Sequence, residues 1–245
     1  MQITFVGTGD AFGSGGRFNT CFHVATEETR FLIDCGASSM IALKAMQIDR
    51  AAIDTIFITH FHGDHFGGLP YFMLDAQFFA KRRAPLTIVG PEGLQKAFVQ
   101  VMETAFAGSS GTVPKFDLQL IELQPGEPLV IGSVTVKAAR VRHGPVDGPF
   151  LAYRFEVEGK RLAYTGDTEW VDTLYDVCSD ADCLIAEAYF FEKKVPFHLD
   201  LVTLGSHLPR LAPKRLILTH MNEDMLSRDL AGQFEKAEDG LVISL

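Results

Sequence analysis

Long apolar runs are missing from this 245-residue sequence. None approaches the roughly 18 residues of a membrane-spanning helix, which excludes a membrane partner as the working expectation. The first residues, Met1-Gln2-Ile3-Thr4-Phe5-Val6-Gly7, have no basic stretch followed by an apolar one, so no secretory signal is expected. Cysteine is scarce: Cys21, Cys35, Cys178 and Cys183 form no Cys-x-x-Cys pair and keep no regular spacing. A disulfide framework and a zinc knuckle are both excluded by that pattern, and a reduced, cytoplasmic location is expected. Basic residues are outnumbered, 22 Lys and Arg against 31 Asp and Glu, for a net charge of −9. Affinity for nucleic acid comes largely from neutralised phosphates, so the balance argues against a folded RNA such as tRNA as substrate. Low-complexity sequence is confined to Ala107-Gly108-Ser109-Ser110-Gly111, too short for a linker. With 47% hydrophobic and 22% charged residues, one globular domain over residues 1–245 is expected.

Short β-rich runs alternate with amphipathic segments. Gln2 to Gly7, Cys21 to Thr26, Phe31 to Asp34, Thr55 to Thr59 and Leu86 to Gly90 read as strands. So do Pro128 to Val141, Leu151 to Glu158, Arg161 to Thr165, Cys183 to Glu187 and Arg215 to Leu218. Helices are expected over Ser38 to Gln47, Pro70 to Ala80, Glu92 to Phe106, Asp172 to Asp180, Asp200 to Leu211 and Asp224 to Glu235. Two internal echoes appear. Ile56-Phe57-Ile58-Thr59-His60 returns as Leu216-Ile217-Leu218-Thr219-His220, and Leu32-Ile33-Asp34-Cys35-Gly36 resembles Leu162-Ala163-Tyr164-Thr165-Gly166. In the same order, they suggest two similar β-rich halves packed face to face, with a site where the strand ends meet.

Thr59-His60-Phe61-His62-Gly63-Asp64-His65 crowds three imidazoles and a carboxylate behind an apolar strand. Packing does not call for that density of titratable groups. In an extended segment His60 and His62 point the same way and can share one metal. A tight turn at Gly63 brings Asp64 and His65 to a second ion. Neutral imidazole mixed with carboxylate suits zinc best, with iron or manganese as alternatives. Four more candidates stand at strand ends: His143, Asp167, His198 and His220. His23 and His207 have no such placement and read as structural. Glu187 ends a buried strand and is a candidate to orient His198 or a ligand. Arg17 and Asn19, in a polar loop, are candidates to meet an anionic substrate. Lys81-Arg82-Arg83 reads as a solvated helix C-terminus.

His60-Phe61-His62-Gly63-Asp64-His65, followed by His143, Asp167 and His220, resembles the metallo-β-lactamase superfamily of hydrolases. The resemblance covers essentially the whole chain and extends to Gly7-Thr8-Gly9, Asp34-Cys35-Gly36 and Gly166-Asp167-Thr168. It is strongest with the branch of ribonuclease Z and its short phosphodiesterase relatives, on Ala152-Tyr153-Arg154 after His143 and Glu187-Ala188 leading to His198. The resemblance implies an α+β, four-layer αββα sandwich with a dinuclear centre at one edge. It implies that His60, His62 and His143 hold one metal and Asp64, His65 and His220 the other, with Asp167 bridging. His198 would assist the leaving group, and Asp64 would relay a proton from a metal-bridging hydroxide. In place of the branch's His-x-Ser or His-x-Thr, the sequence has His198-Leu199-Asp200; Asp200 either orients His198 or caps the next helix, and the cap is favoured. Segments from Asp117 to Val141 and from Glu169 to Glu187 are too short for the tRNA-gripping arm of ribonuclease Z. The implied function is a dinuclear-metal phosphodiesterase acting on small phosphodiesters or cyclic phosphates. Alternatives are thioester or lactone hydrolysis, a ribonuclease Z-like tRNA 3′ endonuclease, and a scaffold without activity, which the intact ligand set disfavours. A homodimer stays open.

Overall fold

The computed structural model of the protein describes residues 1–145, 148–230 and 232–245, and among these the strands form two seven-stranded sheets. The first runs β14-β1-β2-β3-β4-β5-β6, with β1 Gln2–Gly7, β2 Cys21–Ala25, β3 Arg30–Ile33, β4 Thr55–Phe57, β5 Leu86–Gly90, β6 Leu118–Glu122 and β14 Val242–Ser244. The second runs β13-β12-β11-β10-β9-β8-β7, with β7 Leu129–Ile131, β8 Val134–Arg140, β9 Leu151–Val157, β10 Lys160–Tyr164, β11 Cys183–Glu187, β12 Leu216–Thr219 and β13 Glu235–Lys236. Each sheet opens with antiparallel pairs and ends in four parallel strands, β3 to β6 and β10 to β13.

Period-two alternation decides what each face buries. Ile3, Phe5, Phe31, Ile33 and Phe57 join Phe155, Tyr164 and Ile185 in a core between the sheets. Leu32 and Ile56 point outward into a second core under α1 Ser39–Ala45, α3 Leu69–Leu74 and α4 Leu94–Ala105. Leu184 and Leu218 point into a third, under α5 Leu174–Cys178 and α6 Leu201–Leu211. The layers are therefore helix, sheet, sheet, helix, the αββα sandwich expected. Strands covered on both faces carry apolar runs, which is why they were legible. The middle core is aromatic, with Phe57 against Phe155 at 4.9 Å and Phe22 against Tyr164 at 5.2 Å between ring centroids. Each fully buried ring stabilises the sandwich by roughly 1.5–3 kcal/mol.

Several boundaries differ from the expectation. Pro128 to Val141 is a hairpin, β7 and β8, because Gly132 turns at φ 56°. Of the helix expected over Asp224 to Glu235, only a short one forms among the described residues, α7 Glu223–Ser227, and Glu235 belongs to β13; Lys236 caps α7 and the turn beyond it by donating to Met225 O, Leu226 O and Arg228 O. Ala231 lies outside the described residues. Helix α3 passes into a wider π-turn at Asp75–Phe79, where buried Asp75 forms ion pairs with Lys44 and Arg50, each at 2.9 Å. Arg82 is not solvated: it is buried and donates to the carbonyls of Arg50, Ala51, Ala84 and Pro85. Strands β6 and β14, half-buried sheet edges, were not expected at all.

The parallel strands of both sheets end at one edge of the sandwich. There Tyr153 Oη donates to Ile58 O at 2.6 Å and Leu151 N to Thr59 O at 3.0 Å, which stitches the sheets together. Gly166 (φ 60°) lets the chain turn there; a Cβ on it would stand 2.6 Å from Leu151 O. The echoes are half right as topology. β3 and β10 open the parallel portion of their sheets, but β4 is second in its run whereas β12 is third.

Candidate metal centre

Beyond β4 the chain leaves the sheet and brings His60 and His62 round to His143, which follows β8. Ring centroids lie 4.6 Å apart for His60 and His62, 4.9 Å for His60 and His143, and 4.8 Å for His62 and His143. Phe150 walls all three. The turn at Gly63 is a one-turn helix, α2 Gly63–Phe66, which carries Asp64 and His65 inward. Gly36 makes room for it, since a Cβ there would meet Asp64 O at 2.1 Å. His65 Nε2 lies 3.4 Å from Asp64 and 3.1 Å from Asp167 Oδ2; His220 Nε2 lies 3.2 Å from Asp64 and 3.1 Å from the same Asp167 oxygen. Asp167 Oδ2 is also 3.7 Å from His143 Nε2, so it stands between the two groups.

His60, His62 and His143 form one set of converging donor atoms, and Asp64, His65, Asp167 and His220 another, each set within 4.8 Å. Two observations test whether metal suits them. His60 Nε2 and Asp167 Oδ1 are buried with no hydrogen-bond partner, which an interior polar atom rarely tolerates. His143 Nε2 faces His62 Nδ1 at 3.1 Å, a nitrogen pair that a shared cation relieves. The donor set fits divalent metal ions. A third set, Asp167, Glu187, His198 and His220, meets the same distance test. Glu187 is otherwise engaged, however: it accepts from Thr168 N at 2.8 Å, Leu199 N at 3.2 Å and His198 Nδ1 at 2.5 Å.

Charge follows from burial set against these carboxylates. Burial depresses His60 well below the usual imidazole value, and His65 nearby adds to it. For His220 burial works the same way, but Asp167, Asp64 and Glu187 outweigh it and lift it to about 10. His65 is raised likewise, against burial, by Asp167 and Asp34. With protons as the only cations the second set holds them, so metal entry expels protons. His198 is raised and Glu187 lowered: burial opposes both shifts, and their ion pair outweighs it.

His198 lines a cavity of about 280 Å³ over the cluster, together with His62, His143, Asp167, Tyr189 and Phe12. Tyr189 stacks on the His198 ring at 4.4 Å, and Phe12 stands 84% exposed at the rim. Asp200 caps α6, accepting from Thr203 N at 2.8 Å, as favoured. His207 stacks on Trp170 at 3.5 Å, away from the cavity. Arg17 and Asn19, the candidates for an anionic substrate, are tied into the protein. Arg17 donates to Thr8 Oγ1 and Ala237 O, and Asn19 ties Asp10 to Ser38. One residue escaped the sequence reading of the site. Asp34, fully buried at φ 60°, accepts from His65 Nδ1 at 2.7 Å and from Thr59 N at 2.7 Å. A charged residue ending an apolar strand just before Gly36 was the available signal.

The profile of the family described as Anti-Pycsar protein Apyc1 matches residues 1–240. The chain belongs to that family. Among proteins similar to this family member, a ribonuclease Z of Geobacillus kaustophilus (strain HTA426) is 28% identical, covering 91% of this chain and 88% of its own. The human short-form tRNase Z superposes with a TM-score of 0.80 and 27% identity over 100% of this chain and 99% of its own. The metallo-β-lactamase fold protein YhfI of Bacillus subtilis superposes with a TM-score of 0.79 and 21% identity, over 99% and 98%. The chain is thus a metallo-β-lactamase superfamily hydrolase near the ribonuclease Z and phosphodiesterase branch. The expectation that tRNA is an unlikely partner is overturned by relatives named ribonuclease Z and tRNase Z that match nearly the whole chain. Net charge sums the entire surface, whereas phosphate is gripped locally. No helix among the described residues is long and apolar enough to cross a membrane.

Proposed function

We propose that the protein is a dinuclear-metal phosphodiesterase whose substrates are small phosphodiesters or cyclic phosphates. In this reading His60, His62 and His143 hold one ion and Asp64, His65 and His220 the other, with Asp167 between them. Zinc suits the imidazole-rich set best, with manganese or iron as alternatives. Two such ions supply Lewis acidity toward phosphoryl oxygens and a water acidified toward neutral pKa. The four cysteines are free and buried, which accords with the reducing cytoplasm.

The observation that carries the ester type is the His198–Glu187 pair. Glu187 fixes the ring by accepting from Nδ1, holds a proton on it, and leaves Nε2 for the cavity. Water oxygen attacks phosphorus, the bond to the leaving oxygen breaks, and the Nε2 proton passes to that oxygen, giving an alcohol and a phosphomonoester. His198 is then reprotonated from the proton the water released. Such a donor is worth about 10²–10⁴-fold against an alkoxide and little against a thiolate. That asymmetry favours phosphodiesters over thioesters. The same chemistry on a tRNA precursor is the second reading, favoured by the relatives named ribonuclease Z. The test is one metal-replete preparation assayed on bis-p-nitrophenyl phosphate, cyclic nucleotides, a tRNA precursor, thioesters and lactones. Turnover of phosphodiesters is expected; turnover confined to thioesters or lactones overturns the reading.

A further inference from the structure

Phe197 sits at φ 71°, in the left-handed region that a bulky side chain rarely adopts. Its two backbone groups face different loops. The carbonyl accepts from His143 Nδ1 at 2.8 Å, and the N–H donates to Glu169 Oε2 at 3.0 Å. A carbonyl only accepts, so the first bond places the His143 proton on Nδ1 and turns Nε2 toward the cluster. The next residue along the chain is His198. One strained residue therefore sets both a ring of the first donor set and the proton carrier above the cavity.

Glu169 is itself held in place. Its N–H donates to Arg142 O at 3.0 Å, its Oε1 meets Arg142 Nε at 3.4 Å, and the next residue, Trp170, stacks on His207 of α6 at 3.5 Å. Arg142 is 58% exposed and Glu169 31%, so the ion pair is screened, and the acceptor at Phe197 N is the part that matters. We propose that Glu169 is a positioning residue: by accepting from Phe197 N it keeps that residue left-handed and so fixes the tautomer of His143 and the place of His198. Without the acceptor, Phe197 relaxes to negative φ, its carbonyl turns away, and His143 loses its fixed proton. The reaction affected rests on the reading above, but the tautomer does not.

The test uses the metal-free full-length protein with ¹⁵N-labelled histidine, so that the imidazole nitrogen shifts report each tautomer without reference to activity. The wild type is expected to show His143 as a single Nδ1–H form. Glu169→Ala should give an averaged mixture, Glu169→Gln should keep the wild-type signature because its amide oxygen still accepts, and Phe197→Gly in the Glu169→Ala background should restore it, since glycine needs no restraint at positive φ. In the metal-loaded enzyme, Glu169→Ala should lower kcat on an alkyl phosphodiester about 10–100-fold with KM little moved, the usual range for a group behind a ligand. An unchanged His143 signature in Glu169→Ala, or a loss as large in Glu169→Gln, overturns the proposal. Should Glu169→Ala not fold, Glu169→Gln and Phe197→Gly decide it: both must keep the single tautomer. An inactive wild type with these tautomer results intact would refute the phosphodiesterase reading and leave Glu169 standing.

Discussion

Two buried carboxylates, one in each sheet, hold a histidine in the same way and to different ends. Asp34, after β3, accepts from His65 Nδ1 at 2.7 Å and from one backbone N–H. Glu187, at the end of β11, accepts from His198 Nδ1 at 2.5 Å and from two. Both pairs raise the imidazole's pKa against burial. What differs is the view from Nε2. His65 is fully buried and faces Asp64 and Asp167, while His198 keeps 23% of its side chain exposed at the cavity. A carboxylate behind the ring fixes orientation and basicity, and in the proposed reading the surroundings of the far nitrogen make one ring a metal ligand and the other a proton donor. His23 is the contrast. It is buried with no carboxylate, Nε2 has no partner, and burial with Arg30 beside it lowers its pKa to about 4.

Removing the carboxylate between the two donor sets should have the largest effect. Asp167→Ala is expected to lose metal and activity together, read by elemental analysis beside turnover; two retained ions with wild-type turnover would rule out the bridging role. Next, His198→Ala should keep both metals, lose about 10²–10⁴-fold on alkyl phosphodiesters and largely spare p-nitrophenyl esters, whose leaving group needs no proton. Equal losses on both substrates would mean that His198 is not the acid.

Asp34→Asn sharpens the comparison from the other pair. It should weaken metal binding about 10–100-fold, with the ratio of alkyl to aryl rates unchanged. If the rate ratio moves instead, the two pairs are not doing different jobs. The smallest effect belongs to His23. Its folded pKa lies below the unfolded value near 6.5, so the unfolded chain binds the proton first, and stability present above pH 6.5 is lost as pH falls toward 4. The loss is at most on the order of 3 kcal/mol, at about 1.4 kcal/mol per pH unit. His23→Leu should flatten that limb in urea denaturation across pH 4–7, and an unaltered slope would assign the acid sensitivity elsewhere.

Local pattern was enough for the layers and for the motif. Apolar runs such as Ile56-Phe57-Ile58 and Cys183-Leu184-Ile185 are readable because strands buried on both faces admit little else. His60 to His65 stands out because no core needs that many titratable groups. Edge strand β6, half-buried, carries too weak a pattern, and α7 ends where a lysine from a neighbouring strand takes its carbonyls. Asp34 looked like a strand-end carboxylate, and only the meeting of β3 with α2 made it His65's partner. The contacts of Arg17 with Ala237 and of Asn19 with Ser38 were not legible either, because those partners are distant in the chain. The candidate metal-binding residues were thus marked by residue type and strand-end position, which are local. Which nitrogen of each ring faces inward, and which carboxylate stands behind it, was decided by tertiary structure, because both depend on groups as far apart in the chain as His143 and Phe197.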